Sequence, residues 1–307
     1  MFPPPPLTRR DLLRVAAAAT AAIVLPSPLV ARGGRNPDRE RLTTWTAALR
    51  AEGLAQPEAS IGRAAARVGE LAAGTPYEAG TLDAYLRTRD SRRPPDPEPL
   101  TLSLTKFDCV TLVESCLAVA RVAAREGAPT WERFGHEVER MRYRGGERRG
   151  YASRLHYFSE WITDGDRRGL VRDLGTKLGA AEDARPLRFM TANRGKYPAL
   201  AHAQIFREIG AMERRLDARP RRVVPTKRIP EVVGQIETGD VLAFATAIPG
   251  LDVTHAAFAY RDSGGVLRVL HAPLSGGVVE VTHATLPEYV AAIPRATGIL
   301  VARPLWG

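Results

Sequence analysis

Lys106-Phe107-Asp108-Cys109-Val110-Thr111-Leu112-Val113-Glu114-Ser115-Cys116-Leu117-Ala118-Val119-Ala120 is the stretch from which the fold is read. Val110, Val113, Leu117 and Ala120 recur at three and four, the spacing of a helix with one apolar stripe. The predicted helix runs over residues 109–126, and Gly127 closes it. Asp108 is a good N-cap, which puts Cys109 in the first turn. There the helix dipole and the free N–H groups favour a thiolate, the reactive form of a cysteine. Cys116 lies two turns further in on the same face, where the dipole no longer helps, and reads as structural. Seven residues at about 1.5 Å each separate the two by roughly 10 Å. A disulfide needs Cα atoms within about 7 Å. Both thiols are therefore unpaired, and Cys109 is the candidate nucleophile.

Upstream of this helix, residues 38–51 and 61–73 show helical apolar spacing, and Gly74-Thr75-Pro76-Tyr77 breaks the pattern. Residues 82–86 suit a short helical turn, and 92–99 hold four prolines, so they form a loop or extended segment. Downstream, 131–141 is a further helix. Residues 143–197 are irregular and polar-aromatic, with short turns between Tyr151 and Trp161, and 198–216 is helical. The texture then changes. Short β-prone runs occupy 241–245, 253–260, 266–271, 278–282 and 299–302. Gly250, Ser263-Gly264-Gly265, Ser275-Gly276-Gly277 and Pro294 punctuate them. Short connections imply antiparallel pairing. The fold class is α+β: helices first, then a meandering antiparallel sheet.

A cysteine nucleophile needs a base, and the base an orienting group. Of six histidines, His136, His202 and His283 suit surface or structural roles, while His156 lies among aromatics and can line a cleft. His255 and His271 each fall in a β-prone run, with the turn at residues 262–265 between them. Adjacent strands bring facing side chains within about 5.5 Å. With suitable register His271 hydrogen-bonds His255 and fixes its tautomer; otherwise they are two unrelated histidines.

With 307 residues, 44% apolar, the chain can bury a core as one large domain or two small ones. No repeat or heptad run occurs. The net charge is +10, and removing residues 1–31, with three Arg and one Asp, would leave +8. That balance favours anionic surroundings. Only four of the 44 cations are Lys, however, a bias that base composition alone can produce. No nucleic-acid module or aromatic-studded basic stripe is present, which argues against nucleic acid as partner. Thr8-Arg9-Arg10-Asp11-Leu12-Leu13, followed by an apolar run from Val15 to Leu25, reads as a twin-arginine export signal. The run is short of the roughly 20 residues a membrane span takes. Cleavage after Ala31 would release a protein with no integral span, periplasmic or otherwise in the cell envelope. No cysteine sits near this segment to carry a lipid.

A set of short motifs, each weak alone, is specific in order and spacing. These are Gly74-Thr75-Pro76-Tyr77 with Gly80-Thr81-Leu82, then Phe107-Asp108-Cys109-Val110-Thr111-Leu112-Val113-Glu114. Ser153-Arg154-Leu155-His156-Tyr157 into Trp161-Ile162 follows, then Gly239-Asp240-Val241, Gly250-Leu251-Asp252-Val253-Thr254-His255 and Leu270-His271-Ala272. With them the chain resembles the N-acetylmuramoyl-L-alanine amidase-like branch of the NlpC-type, papain-like cell-wall cysteine hydrolases. The resemblance spans residues 61–304.

It implies a papain-like NlpC-type domain over 58–307, after a signal at 1–31 and a linker with an N-terminal helix at 32–57. It also implies a Cys-His-His triad in which Cys109 attacks, His255 removes its proton and His271 orients His255. Tyr77 matches a tyrosine that lines the site, and Asp108 a residue that positions substrate or caps the helix. Ser153, Arg154 and His156 match an insertion near the cleft and are substrate contacts on this reading. Leu112 stands where the family usually has an aromatic, and Val110 replaces a threonine. The expected reaction is hydrolysis of a peptidoglycan or muropeptide amide by a monomer, through a thioester and without a cofactor. A stem-peptide endopeptidase, a papain-like acyltransferase and a non-catalytic wall-binding module are the alternatives. Zinc on Cys109, His255 and His271 is conceivable, yet no closed four-ligand set or His-Glu-x-x-His helix is present, so no metal is expected.

Overall fold

Local capping chemistry sets the first helix ends. The Asn36 side chain accepts from the N–H groups of Asp38 and Arg39 and opens α1 (Pro37–Ala51). Ser60 plays the same part for α2 (Ile61–Leu71), accepting from the Arg63 N–H. At α3 (Cys109–Ala124), Asp108 Oδ1 accepts from the Thr111 N–H at 2.8 Å, and Thr111 Oγ1 accepts from the Asp108 N–H at 2.8 Å. This capping box satisfies two end donors and fixes where the helix that bears Cys109 begins. Thr130 caps α4 (Trp131–Arg142). The structure, a computed structural model, describes residues 36–86, 97–274 and 277–307. The expected signal at 1–31, most of the proline-rich stretch 92–99, and Ser275 and Gly276 lie outside the described residues.

Residues 143–197 are more regular than expected. They form α5 (Phe158–Arg167), β1 (Val171–Asp173), β2 (Ala181–Asp183) and α6 (Phe189–Ala192). α5 buries Phe158, Trp161, Ile162 and Gly165, a helical i, i+3, i+4, i+7 stripe. Between them stand Ser159, Thr163 and Asp164, weak helix formers that hide the pattern. Residues 198–216, expected as one helix, split into a 3₁₀ turn (Pro198–Ala201) and α7 (Ala203–Asp217) at the extended residue His202.

The remaining elements are β3 (Arg221–Pro225), α8 (Ile229–Val232), β4 (Val241–Thr246), β5 (Val253–Arg261), β6 (Leu267–His271), β7 (Glu280–Val281), α9 (Leu286–Ala292) and β8 (Ala296–Pro304). The strands form one antiparallel sheet in the order β2-β3-β8-β4-β5-β6-β7, with β1 also pairing β8. β4 to β7 are the expected meander, and β8 returns beside β4.

Burial alternates along β4. Val241, Ala243 and Ala245 face the core built by α1 to α5, while Leu242 and Phe244 face a second core with α8 and α9. Both faces of the sheet are thus covered. A smaller cluster joins Tyr151 and Tyr157 to α6 and α7. Asn36–Gly307 is one compact unit, and α1 contributes Leu42, Trp45 and Leu49 to its main core. The boundary expected between residues 57 and 58 falls inside it. Among the described residues no helix is long and apolar enough to cross a membrane.

The start of α2 meets the turn before β4 backbone to backbone. Gly239 has φ +89°, and a Cβ there would sit 1.9 Å from the Gly62 carbonyl oxygen. Gly239→Ala meets both a left-handed backbone and a clash with main chain that cannot swing aside. It is expected to destabilise the fold by about 2–4 kcal/mol. Thermal unfolding followed by circular dichroism checks this; an unchanged midpoint would overturn the close approach.

Candidate active site

The N-terminus of α3 is held against its surroundings by two short segments. Pro76 pairs with Val278 on one side, and Tyr77 bridges to Phe107 on the other. The Phe107 N–H donates to the Pro76 carbonyl, and the Glu78 N–H to the Phe107 carbonyl. Asp38 Oδ1 of α1 accepts from the Leu104 N–H at 2.6 Å, tying down the loop that leads in. Tyr77 therefore stands half-buried beside Asp108 and Cys109. Burial, then the charges of Cys109 and Asp108, push its hydroxyl up to about 12.

Cys109 is 9% exposed. It lines a small cleft of about 140 Å³ with Val110, Leu155, His156, Phe158 and the 251–256 stretch, which includes His255. Two larger cavities, of about 590 and 560 Å³, are lined without any cysteine or histidine. Cys116 is fully buried deeper in α3, as its structural role requires.

His255 sits on β5 opposite Phe244 of β4, and the two rings stack at 5.6 Å. His271 ends β6. The register Phe258↔Leu270 sets His271 diagonal to His255 rather than directly facing it. Diagonal neighbours lie within reach of aromatic side chains, and His255 Nε2 is 2.9 Å from His271 Nδ1. His255 Nδ1 is buried and has no hydrogen-bond partner among the described residues. The arrangement leaves one ring nitrogen of His255 tied and the other free.

The electrostatics differ from the expected thiolate. Burial first, then the Asp108 charge, push the Cys109 thiol up to about 12, against backbone N–H groups of Ala256, Val110 and Cys109 that favour the anion. Burial, then repulsion from His271, push His255 down to about 3, and burial pushes His271 down to about 4. At neutral pH the resting site therefore holds a neutral thiol and neutral imidazoles. The helix dipole is present, but desolvation outweighs it.

The other expected residues divide. His156 lines the cleft; its Nε2 pairs with the Tyr151 carbonyl at 2.8 Å, and burial holds it well below the usual imidazole range. Asp108 is the helix cap. Ser153 and Arg154 are not in the cleft lining. Ser153 donates to the Gly150 carbonyl within its own turn. Arg154 is buried, donates to Asp83 at 2.6 Å, lies 3.8 Å from Glu98 and covers the Tyr151 ring. Its guanidinium holds the insertion in place.

Two residues come from the structure alone. Tyr289 of α9 packs on Phe244 and His271, its hydroxyl 3.3 Å from His271 Nδ1. Asp252, buried, accepts from the Ser159 N–H at 2.8 Å and the Val253 N–H at 2.7 Å. It thereby caps α5 from a distance and anchors the start of β5 three residues before His255. Asp252→Ala strands one buried and one part-buried N–H group and is expected to destabilise by about 2–4 kcal/mol. Asp252→Asn, which keeps one acceptor oxygen, should lose less. Denaturant midpoints of the two variants test the ranking, which equal midpoints would contradict. Among the described residues no group of three or more His, Cys, Asp or Glu side chains is placed to hold a metal ion.

The family model described as N-acetylmuramoyl-L-alanine amidase-like matches residues 67–299. A crystal structure of an N-acetylmuramoyl-L-alanine amidase from Bacteroides uniformis ATCC 8492 is similar at 27% identity, covering 80% of this chain and 98% of that one, with a TM-score of 0.70. A Bacteroides fragilis protein provisionally named a xylanase is 31% identical over 77% of this chain and 99% of its own, with a TM-score of 0.69. A Legionella pneumophila protein at 17% identity shares the fold, with a TM-score of 0.61 over 87% of this chain and 94% of that one. No curated protein matches the sequence.

Proposed function

The chain belongs to the N-acetylmuramoyl-L-alanine amidase-like family, and from that premise we propose that it hydrolyses an amide of peptidoglycan through Cys109. His255 acts as general base and His271 as its orienting partner. The observation that carries this reading is that His255 lines the cleft that holds Cys109, with its Nε2 tied to His271 at 2.9 Å and its Nδ1 without a hydrogen-bond partner among the described residues.

On this mechanism the Cys109 sulfur adds to the amide carbonyl while His255 Nδ1 takes the thiol proton. Backbone N–H groups at the start of α3 and at Ala256 stabilise the oxyanion. His255 returns the proton to the leaving amine, and a thioester remains on Cys109. Water then adds, giving its proton to His255, and the tetrahedral adduct expels the Cys109 sulfur, which is reprotonated. Starting from a neutral pair, base catalysis accompanies attack rather than preceding it. Val110, Leu155, Phe158, Leu251 and Val253 make the cleft apolar, which suits a small apolar residue such as L-Ala beside the cut bond. His156 flanks the substrate in the cleft, and Tyr77, outside its lining, stands beside Cys109. The papain-like NlpC assignment is supported by a nucleophile at a helix start against an antiparallel sheet carrying both histidines. Export by the twin-arginine-type segment would bring the enzyme to its polymer.

Xylan hydrolysis finds no support in this cleft. A glycosidase flanks its bond with two carboxyl groups. Asp252 is the single carboxylate in the lining among the described residues, and both its oxygens are taken by backbone N–H groups.

The test is mass spectrometry of purified muropeptides incubated with the mature protein beside Cys109→Ala. Free stem peptide with an unsubstituted lactyl sugar is the expected product, and Cys109→Ala should reduce it to background. A clipped stem peptide would move the bond cut to an endopeptidase site. No cleavage by an enzyme with an intact thiol would overturn hydrolysis and leave acyl transfer.

A further inference from the structure

Whether His255 can act as a base depends on which nitrogen holds the proton it shares with His271. His255 Nε2 and His271 Nδ1 are 2.9 Å apart, so one of the two must carry the shared hydrogen. If His271 Nδ1 carried it, a neutral His255 would hold its own proton on Nδ1, and its free nitrogen would no longer be basic. If His255 Nε2 carries it, Nδ1 has the lone pair. Two neighbours of His271 bias this choice. Glu280 is its direct cross-strand partner, with Oε1 3.7 Å from His271 Nε2. That is beyond hydrogen-bond reach, and Nε2 has no hydrogen-bond partner among the described residues, so Glu280 acts only through its negative charge, which favours an N–H rather than a lone pair on the nitrogen facing it. The Tyr289 hydroxyl lies 3.3 Å from Nδ1, where it can share that nitrogen's lone pair with the His255 N–H as a second, longer donor.

We propose that Tyr289 is a positioning residue that, with Glu280, holds His271 in the Nε2–H tautomer, so that His271 accepts from His255 and leaves His255 Nδ1 as the base for Cys109. The assignment rests on the hydrolase reading above for its catalytic consequence, although the tautomer itself does not. The site is built for it. Phe244 packs against both Tyr289 at 5.3 Å and His255 at 5.6 Å, and the His255–His271 and His271–Tyr289 ring pairs each cross edge-to-face, at 76° and 78°. The tyrosine ring is thus aimed by the wall that aims His255. A phenylalanine in place of Tyr289 keeps this packing and removes only the hydroxyl.

The experiment compares the full chain with Tyr289→Phe, using ¹⁵N-histidine long-range correlation spectra to read the tautomers and muropeptide hydrolysis to read catalysis. In the parent, His271 should show protonated Nε2 with unprotonated Nδ1, and His255 should likewise show protonated Nε2 with a bare Nδ1. In Tyr289→Phe the His271 signals should move toward a mixture of tautomers, with kcat lowered about tenfold and KM nearly unchanged. Glu280→Gln should shift the same signals in the same direction. A parent in which His271 carries its proton on Nδ1 would overturn the proposal, as would a Tyr289→Phe variant with unaltered tautomers. If the parent shows the expected tautomers but cuts no muropeptide, the hydrolase reading fails and the tautomer assignment stands.

Discussion

His255→Asn is expected to lower muropeptide hydrolysis by about 10³-fold while the protein stays folded. Asparagine is polar and smaller than histidine, so it fits the slot against Phe244; its amide stops at the level of the His255 Nδ1, short of His271, and it has no basic nitrogen to serve Cys109. The loss should be large because the thiol is pushed up to about 12 by burial and does not ionise by itself near neutrality. Attack therefore depends on a base at the moment the carbon–sulfur bond forms. The loss should fall on kcat, since the substitution alters proton transfer rather than the apolar lining. The Cys109→Ala/His255→Asn double variant should be no slower than Cys109→Ala alone, because the two residues act as a unit. Steady-state kinetics with purified muropeptides, with thermal unfolding as the control for folding, make the measurement. Activity within about tenfold of the parent would remove His255 from the base role.

Where local chemistry decides structure, the sequence was legible. Asp108 before an apolar-periodic run located the start of α3, and its cap, to the residue. The β-prone runs from Val241 onward gave the meander and put both histidines on neighbouring strands. What escaped was structure decided by distant partners. The α5 stripe of Phe158, Trp161, Ile162 and Gly165 was present, but Ser159, Thr163 and Asp164 argue locally against a helix. Its N-terminus is completed by Asp252, 93 residues away along the chain. β3, the segment Arg-Arg-Val-Val-Pro, has two arginines and a proline and forms because β2 and β8 flank it. For α9 a signal existed. Thr285 and Glu288 form a capping box with Pro287 in the first turn.

The site shows the same division. Cys109, His255 and His271 could be singled out in the sequence because residue type and the element each sits on carry the signal, and the structure brings Cys109 and His255 to one cleft and joins His255 to His271. Tyr289 is an ordinary helical tyrosine until α9 folds back onto the β6 end, so no local pattern marks it. Arg154 illustrates the opposite error. An arginine in a motif beside a cleft suggests a substrate contact, but its partners Asp83 and Glu98 lie far upstream and claim the charge. The thiolate expected at Cys109 is opposed by burial for a related reason: a helix start can be recognised in sequence, whereas the depth at which it is buried cannot.

That depth has a measurable consequence in the reaction of Cys109 with iodoacetamide, a neutral reagent that consumes the thiolate. A thiol raised from 9.0 to about 12 is almost wholly protonated through the neutral range. Its thiolate fraction, and with it the alkylation rate, should climb about tenfold for each pH unit between about pH 6 and 9. A thiolate–imidazolium pair would behave otherwise. It requires a thiol pKa below that of His255, and its rate would be flat between the two values. With burial pushing His255 down to about 3 and the thiol up, the order is reversed, and no such plateau is expected. Cys116 is fully buried, and burial raises its thiol as well, so a Cys109→Ala sample supplies the background. The same two directions fix how activity responds to acid. Hydrolysis needs neutral His255, so in the free enzyme it should persist to well below the usual imidazole range instead of falling off near pH 6.5. Mass-spectrometric alkylation rates across this pH range make the comparison. A pH-independent rate from about pH 6 to 8 would mean that attraction within the Cys109–His255 pair, together with the helix dipole, overcomes desolvation, and the enzyme would then attack from a preformed thiolate.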